Sequence, residues 1–312
     1  MITIVREDRS PWCDRTAVQR ERGAFGGEAH LRWGVPAIRS VAVALALSCH
    51  PVPTVAVTAM ATALAVAAGN RPAVVVLLLV AVLAGQLSIG WSNDLIDAGR
   101  DRAAGRSGKP IAAGAIDRWM LVVPLAVVTV AVVPLSLALG WWAGAAHLVG
   151  VVFGWLYNLG LKSTPVSPIA YAIAFGALPA VATLARSAPV LPPWWVTAAA
   201  ALLGVGAHFG NVLPDIDDDR RAGVRGAPQR AGCLASAIVA ALTVVAAAGL
   251  LLLFSGTTTF VVVLLGGLVV VLGAVIVLIG RSRRRLRLAF VATMVAAALC
   301  VAILVLTGDL AA

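Results

Sequence analysis

The chain has 312 residues, 61% of them hydrophobic and only 12% charged, with a formal net charge of +10. A soluble domain carries about 25% charged residues. The mean hydropathy of +0.96 therefore excludes that class and points to a polytopic helical membrane protein, all-α in fold. In a soluble chain the positive charge would suggest nucleic acid; here it reads as membrane orientation and contact with anionic lipid head groups, with no nucleic-acid partner.

Residues 1–37 are rich in Arg, Asp and Glu and contain no apolar run of signal length. They are expected to form a partly disordered cytoplasmic arm ahead of a membrane domain over 38–312. Crossing the hydrocarbon takes about 20 apolar residues. Runs of that kind predict nine transmembrane helices, at 40–68, 73–92, 119–139, 141–160, 166–185, 192–213, 232–254, 258–280 and 288–308. Pro51 and Pro53 predict a kink in the first. Gly140-Trp141-Trp142 predicts a tight hairpin between the third and fourth. Trp91, Trp119, Trp141, Trp142, Trp194 and Trp195 fall near helix ends, where interfacial aromatics belong. With nine crossings, 22 of the 24 Lys+Arg lie on the side of the N-terminus, and only Arg71 and Arg186 on the other. That side is expected to be cytoplasmic. The Ala/Val/Arg-rich bias points to a bacterial plasma membrane. Cys13, Cys49, Cys233 and Cys300 are scattered and read as free thiols.

Between Glu28 and Asp309 the chain has eight acidic residues, and seven of them fall in two clusters. The first is Asn93, Asp94, Asp97 and Asp101, at the end of the second predicted helix. The second is Asn211, Asp215, Asp217, Asp218 and Asp219, at the end of the sixth. On a helix, Asn93, Asp97 and Asp101 share one face, as do Asn211, Asp215 and Asp219, with Asp94 and Asp218 beside them. Like charges at this spacing repel, and a helix C-terminus is the wrong end for carboxylates. A bound divalent cation would reverse both penalties. Carboxylate and amide oxygens suit Mg²⁺, which is commonly held by one or two carboxylates plus substrate phosphates. Arg100, Arg102, Arg106 and Lys109 flank the first cluster, and Arg220, Arg221 and Arg225 the second; they could complete a phosphate shell. Tyr157, Asn158 and Lys162 follow the fourth helix on the same side. His50, His147 and His208 lie within predicted helices, where polar groups are candidates for function. His208 shares the face of Asn211 and Asp215, and His50 is a candidate for touching a second substrate. His147 is read as structural.

At these residues the chain resembles the UbiA superfamily of intramembrane prenyltransferases. Asn93, Asp94, Asp97 and Asp101 match its N-D-x-x-D-x-x-x-D motif, and Asp215 and Asp219 its D-x-x-x-D motif. Lys109-Pro110 with Gly114, the pattern Tyr157, Lys162, Pro165, and Phe175-Gly176 with Pro179 are similar as well. The resemblance spans about residues 38–308. It implies two Mg²⁺ held by Asp94, Asp97, Asp101, Asp215 and Asp219, with Asn93 and Asp218. It implies a prenyl diphosphate donor contacted by Lys109, Lys162, Tyr157, Arg102 and Arg225, and a hydrophobic acceptor. Members that use 4-hydroxybenzoate carry a basic residue in an R-x-D-K/R-P-like segment of the first helix. Here that segment reads Leu47-Ser48-Cys49-His50-Pro51-Val52-Pro53-Thr54, with His50 the sole candidate for a cation. The acceptor stays open among aromatic, quinone-precursor, lipid and sugar-phosphate classes. Two other readings compete: a membrane terpene cyclase of the same superfamily, and a small-molecule transporter, which would need ionisable groups near the bilayer midplane.

Overall fold

Inside hydrocarbon there is no water for backbone N–H and C=O groups, so an apolar chain must satisfy them within helices. The computed structural model describes residues 41–105, 108–256 and 259–311, and every regular element in them is helical. The arm expected at 1–37, together with Arg106, lies outside the described residues.

Helices α1 (Val41–Ser48) and α2 (Pro51–Ala67) form one apolar stretch broken at Cys49-His50 and bent by 67°. The predicted kink is thus a full break. A residue that precedes proline is disfavoured in right-handed helix, and His50 takes φ 56°, ψ 70°, the one positive φ outside glycine among the described residues. Thr54 Oγ1 donates to the Cys49 carbonyl oxygen at 2.7 Å across the break. Helix α3 (Pro72–Ala103) continues well past the predicted end at residue 92. Its 32 residues span about 48 Å at 1.5 Å each, against about 30 Å of hydrocarbon. The turns carrying Asn93 to Asp101 therefore project beyond the apolar part.

Helices α4 (Arg118–Leu137) and α5 (Trp141–Leu159) meet at Gly140, whose φ of 104° makes the predicted hairpin. Then follow α6 (Ser167–Leu184) and α7 (Trp194–Val212), a 3₁₀ turn Leu213–Asp215, and the short α8 (Ile216–Arg221) and α9 (Ala227–Ala231). Helices α10 (Cys233–Phe254), α11 (Phe260–Gly280) and α12 (Leu286–Thr307) complete the chain. Seven helices are long and apolar enough to cross a membrane, or eight if α1 and α2 make one crossing, with Trp194–Arg221 counted as one rod. The nineteen-residue α5 is not among them, so the expected nine is not reached on length and apolarity alone.

Consecutive long helices pack side by side, and α12 returns against α2, closing a ring. The ring is held by small residues that let backbones approach. At Gly90, a Cβ would sit 2.5 Å from the Cys49 carbonyl oxygen, so α3 touches the broken turn directly. Trp119, Trp141, Trp142 and Trp194 are exposed, as interfacial anchors should be, but Trp91 and Trp195 are buried. The Trp91 indole N–H donates to the Leu45 carbonyl oxygen at 2.9 Å, fixing α1 on α3 rather than meeting the membrane surface. Cys49, Cys233 and Cys300 are free thiols; Cys13 lies outside the described residues.

Gly90→Val should destabilise the protein by about 1–3 kcal/mol through overpacking against the Cys49 carbonyl. Gly99→Ala, where the added Cβ meets nothing, should be neutral or stabilising. Thermal unfolding in detergent separates the two.

Candidate functional site

The helices enclose a cavity of about 280 Å³ at the end of the ring where both acidic clusters lie. Asn93, Asp97 and Asp101 line it from the last turns of α3, and Asn211, Asp215 and Asp219 from the end of α7 and from α8. The i, i+4, i+8 spacing keeps the α3 group on one face because the helix continues unbroken to Ala103. The second group is not on a regular helix. Pro214 falls in the 3₁₀ turn, and Asp215 and Asp219 reach the cavity from either end of the step into α8.

Cations are built into the first cluster. Lys162 Nζ donates to Asp97 Oδ1 and Oδ2 at 2.7 and 2.6 Å and to Asn93 Oδ1 at 3.1 Å. Burial pushes the Lys162 ammonium below the ordinary lysine range, and the facing Asp97 carboxylate partly restores it. Arg100 pairs with the same carboxylate. Lys109 Nζ lies 2.8 Å from Asp94 Oδ1 and 3.6 Å from Asp101 Oδ2.

His50 joins these groups. Its Nε2 is 3.1 Å from Asn93 Nδ2 and 3.1 Å from Lys109 Nζ. Both partners are donors, so Nε2 accepts, and the imidazole is neutral with its proton on Nδ1. It is not the cation that the sequence left it free to be. The left-handed turn at the α1–α2 break and the contact at Gly90 bring this ring to Asn93.

The cavity gathers twelve of the polar residues singled out in the sequence: the two Asn and four Asp above with His50, Arg100, Lys109, Tyr157, Asn158 and Lys162. Five lie elsewhere. Asp94 is buried behind Lys109 and off the cavity wall. Arg102 points its guanidinium at the Ile111 carbonyl oxygen, 3.3 Å away, bracing the loop that carries Lys109. Asp218 pairs with Arg221 at the surface, because the 3₁₀ turn rotates it away from Asp215. Arg225 is exposed. His208 is buried beneath Tyr157 and Tyr171, with ring centroids 5.5 and 4.8 Å away, and its Nε2 meets Ser167 Oγ at 3.0 Å. His147 is structural as expected, its Nδ1 2.7 Å from Ser136 Oγ.

Three cavity residues were missed. Gln229, buried on α9, donates from Nε2 to Asp219 Oδ2 at 2.8 Å, and its backbone oxygen receives Arg220 Nε. No spacing rule marks it. Tyr171, one of two tyrosines in the chain, stacks on Phe175 at 6.1 Å along the wall. Gln86 is an amide inside the apolar part of α3, seven residues before Asn93 and so on the same face. A polar group within hydrocarbon was the signal that could have found it.

Among the described residues, no cluster of three or more His, Cys, Asp or Glu is close enough to form a ready-made metal cage. This agrees with Mg²⁺ chemistry, in which phosphate and water oxygens supply most ligands and the protein one or two carboxylates. Oxygen donors from two opposed helix ends on one cavity fit that pattern. Asp94 Oδ2, buried without a hydrogen-bond partner, adds to the negative potential behind the wall.

No curated protein sequence matches the chain. Solved structures do. A UbiA homologue from Archaeoglobus fulgidus bound to GPP and Mg²⁺ superposes with TM-score 0.62 at 16% identity, over 83% of this chain and 99% of that one. A UbiA homologue from Aeropyrum pernix gives TM-score 0.65 at 18% identity, over 81% and 97%. A structure described in connection with digeranylgeranylglyceryl phosphate synthase gives 0.64 at 16% identity, over 86% and 99%. At these identities the likeness is one of fold. The profile of the UbiA prenyltransferase family matches residues 54–295. The chain is a multi-pass membrane protein and belongs to the UbiA prenyltransferase family.

Proposed function

We propose that this protein is a Mg²⁺-dependent enzyme that transfers the prenyl group of a prenyl diphosphate to an acceptor inside the membrane. The observation that carries the reading is the convergence of Asp97 and Asp101 with Asp215 and Asp219 on one cavity whose deeper walls are apolar. Solved relatives of the fold bound to GPP or DMAPP with Mg²⁺ support the donor class.

Asp97 and Asp101, with Asn93, would hold one Mg²⁺, and Asp215 and Asp219, with Asn211, a second. When bound, the metal neutralises the diphosphate and makes it a better leaving group. Lys109, Lys162 and Arg100 donate to the diphosphate oxygens. As the bond between the first prenyl carbon and oxygen breaks, its electron pair departs with the diphosphate, leaving an allylic cation. Tyr157 and Tyr171 keep water from that carbon. An electron pair of the acceptor then forms the new bond, and the proton the acceptor gives up passes to the released diphosphate. Asp94 and Asp218 act outside the cavity, Asp94 by holding Lys109. Arg102 braces the Lys109 loop, and His208 supports the two tyrosines.

The same reading gives nine crossings, with α5 as the least apolar. The N-terminal arm 1–37 and both acidic ends face the cytoplasm, in keeping with the Lys+Arg bias, and the membrane is the plasma membrane. The domain covers 38–312.

Asp97→Ala and Asp215→Ala should each lower transfer from a labelled prenyl diphosphate by at least about a hundredfold. Excess EDTA should abolish it and added Mg²⁺ restore it. Transfer that persists in EDTA would falsify the reading. The pairing of Asp97 with Lys162 has its own signature. Asp97→Ala leaves a buried ammonium without its carboxylate and should cost about 3 kcal/mol of stability. Adding Lys162→Met should recover much of that loss in detergent unfolding while leaving the enzyme inactive.

A further inference from the structure

Below the main cavity lies a second one of about 40 Å³, and the two share the lining residues Val57, Gln86, Ile89, Ala174 and Phe175. The order of residues along the helices shows how they are stacked. On α3 the wall descends from Asp97 through Gln86 to Val82, and on α6 from Tyr171 through Phe175 to Val181. On α5 it descends from Tyr157 through Gly154 to Val151 and His147. On α3 and α6 the wall thus passes from the acidic end to the shared residues and then to the small chamber, and on α5 it passes from the main cavity to the small chamber without a shared residue. From Asp97 to Val82 this path is about 22 Å at the helical rise per residue.

Below the small chamber the ring is packed. Val82 and Val181 are each 1% exposed and belong to a packed cluster with Leu78, Ala81 and Ala143 that fills the ring below. Among the five shared residues Phe175 is the largest. Its ring lies against Tyr171, with ring planes 17° apart, which holds it in the wall.

We propose that Phe175 sets the length of prenyl chain the enzyme accepts, closing the main chamber so that a short donor fills it and a longer one does not. The inference rests on the donor reading above. A chain held by its diphosphate at the acidic clusters that extends along α3 and α6 meets Phe175 and Gln86, and the packed floor at Val82 and Val181 gives a longer chain no further outlet along that path. With the ring removed, the small chamber joins the large one and the limit moves down by about one helical turn.

Binding of the non-reactive geranyl, farnesyl and geranylgeranyl S-thiolodiphosphates to purified protein with Mg²⁺, followed by calorimetry, tests this. The wild type should bind the geranyl compound at least about tenfold more tightly than the geranylgeranyl one. Phe175→Ala should remove that preference, and Phe175→Leu should reduce it. Gly150 lines only the lower chamber, and a Cβ there meets only Ala174 backbone, at 3.5 and 3.7 Å. Gly150→Val should therefore leave geranyl binding unchanged and restore the preference when combined with Phe175→Ala. Equal wild-type affinity for all three lengths overturns the inference. So does an unchanged preference in Phe175→Ala, or loss of geranyl binding in both Phe175 variants. If the wild type binds none of the three, it is the donor reading that fails.

Discussion

The repulsion among carboxylates crowded at the ends of two helices is the constraint on which the rest of this structure depends. Placing Asp94, Asp97 and Asp101 at the C-terminal end of α3 opposes both their mutual repulsion and the helix dipole. The chain answers with cations drawn from elsewhere: Lys162 from the turn after α5, Lys109 from the loop after α3, and Arg100 from the helix itself. Lys109 and Lys162 are the only lysines in 312 residues, and both are committed to this one cluster. Such pairs are strong only where water is scarce, and a partner removed from one leaves the other exposed to the full cost of desolvation.

The neutral elements of the site exist to keep those charges in register. The break at Cys49-His50 carries an imidazole to Asn93 and Lys109. Asn93 in turn receives Lys162, so one chain of hydrogen bonds links the start of α2, the end of α3 and the turn after α5. Gln229 does for Asp219 what these groups do for Asp97. At Gly226 a Cβ would lie 2.3 Å from the Lys162 carbonyl oxygen, so the loop after the second acidic group rests on the turn that serves the first. Ordering one cluster therefore helps to order the other, which is what a ligand bridging the two requires.

Much of this was legible in the sequence because two simple periods carry it. Apolar runs of membrane-crossing length located every long helix to within a few residues, except α3, where the pattern ended at residue 92 and the helix did not. Hydrophobicity reports where lipid ends, and a helix can outlast it. The i, i+4 spacing grouped Asn93, Asp97 and Asp101 correctly, since α3 is regular there. The same rule misjudged Asp218, because Pro214 substitutes a 3₁₀ turn and a small change of twist moves a side chain off a face. Trp91 and Trp195 could not be told from interfacial tryptophans, since proximity to a helix end does not reveal which way a side chain points. Gln229 and Tyr171 entered the site through tertiary contact alone, a relation that no spacing along one helix encodes.

The central claim is that the two acidic groups act together on one diphosphate. It is tested most directly by a crystal or cryo-EM structure determined with a non-reactive prenyl S-thiolodiphosphate and with Mn²⁺ in place of Mg²⁺. Anomalous scattering from a crystal would locate the metal. The account predicts metal at both Asp97/Asp101 and Asp215/Asp219, with the diphosphate between them and Lys109 and Lys162 on its oxygens. A diphosphate bound without metal, or metal on one cluster with the other turned away, would contradict it.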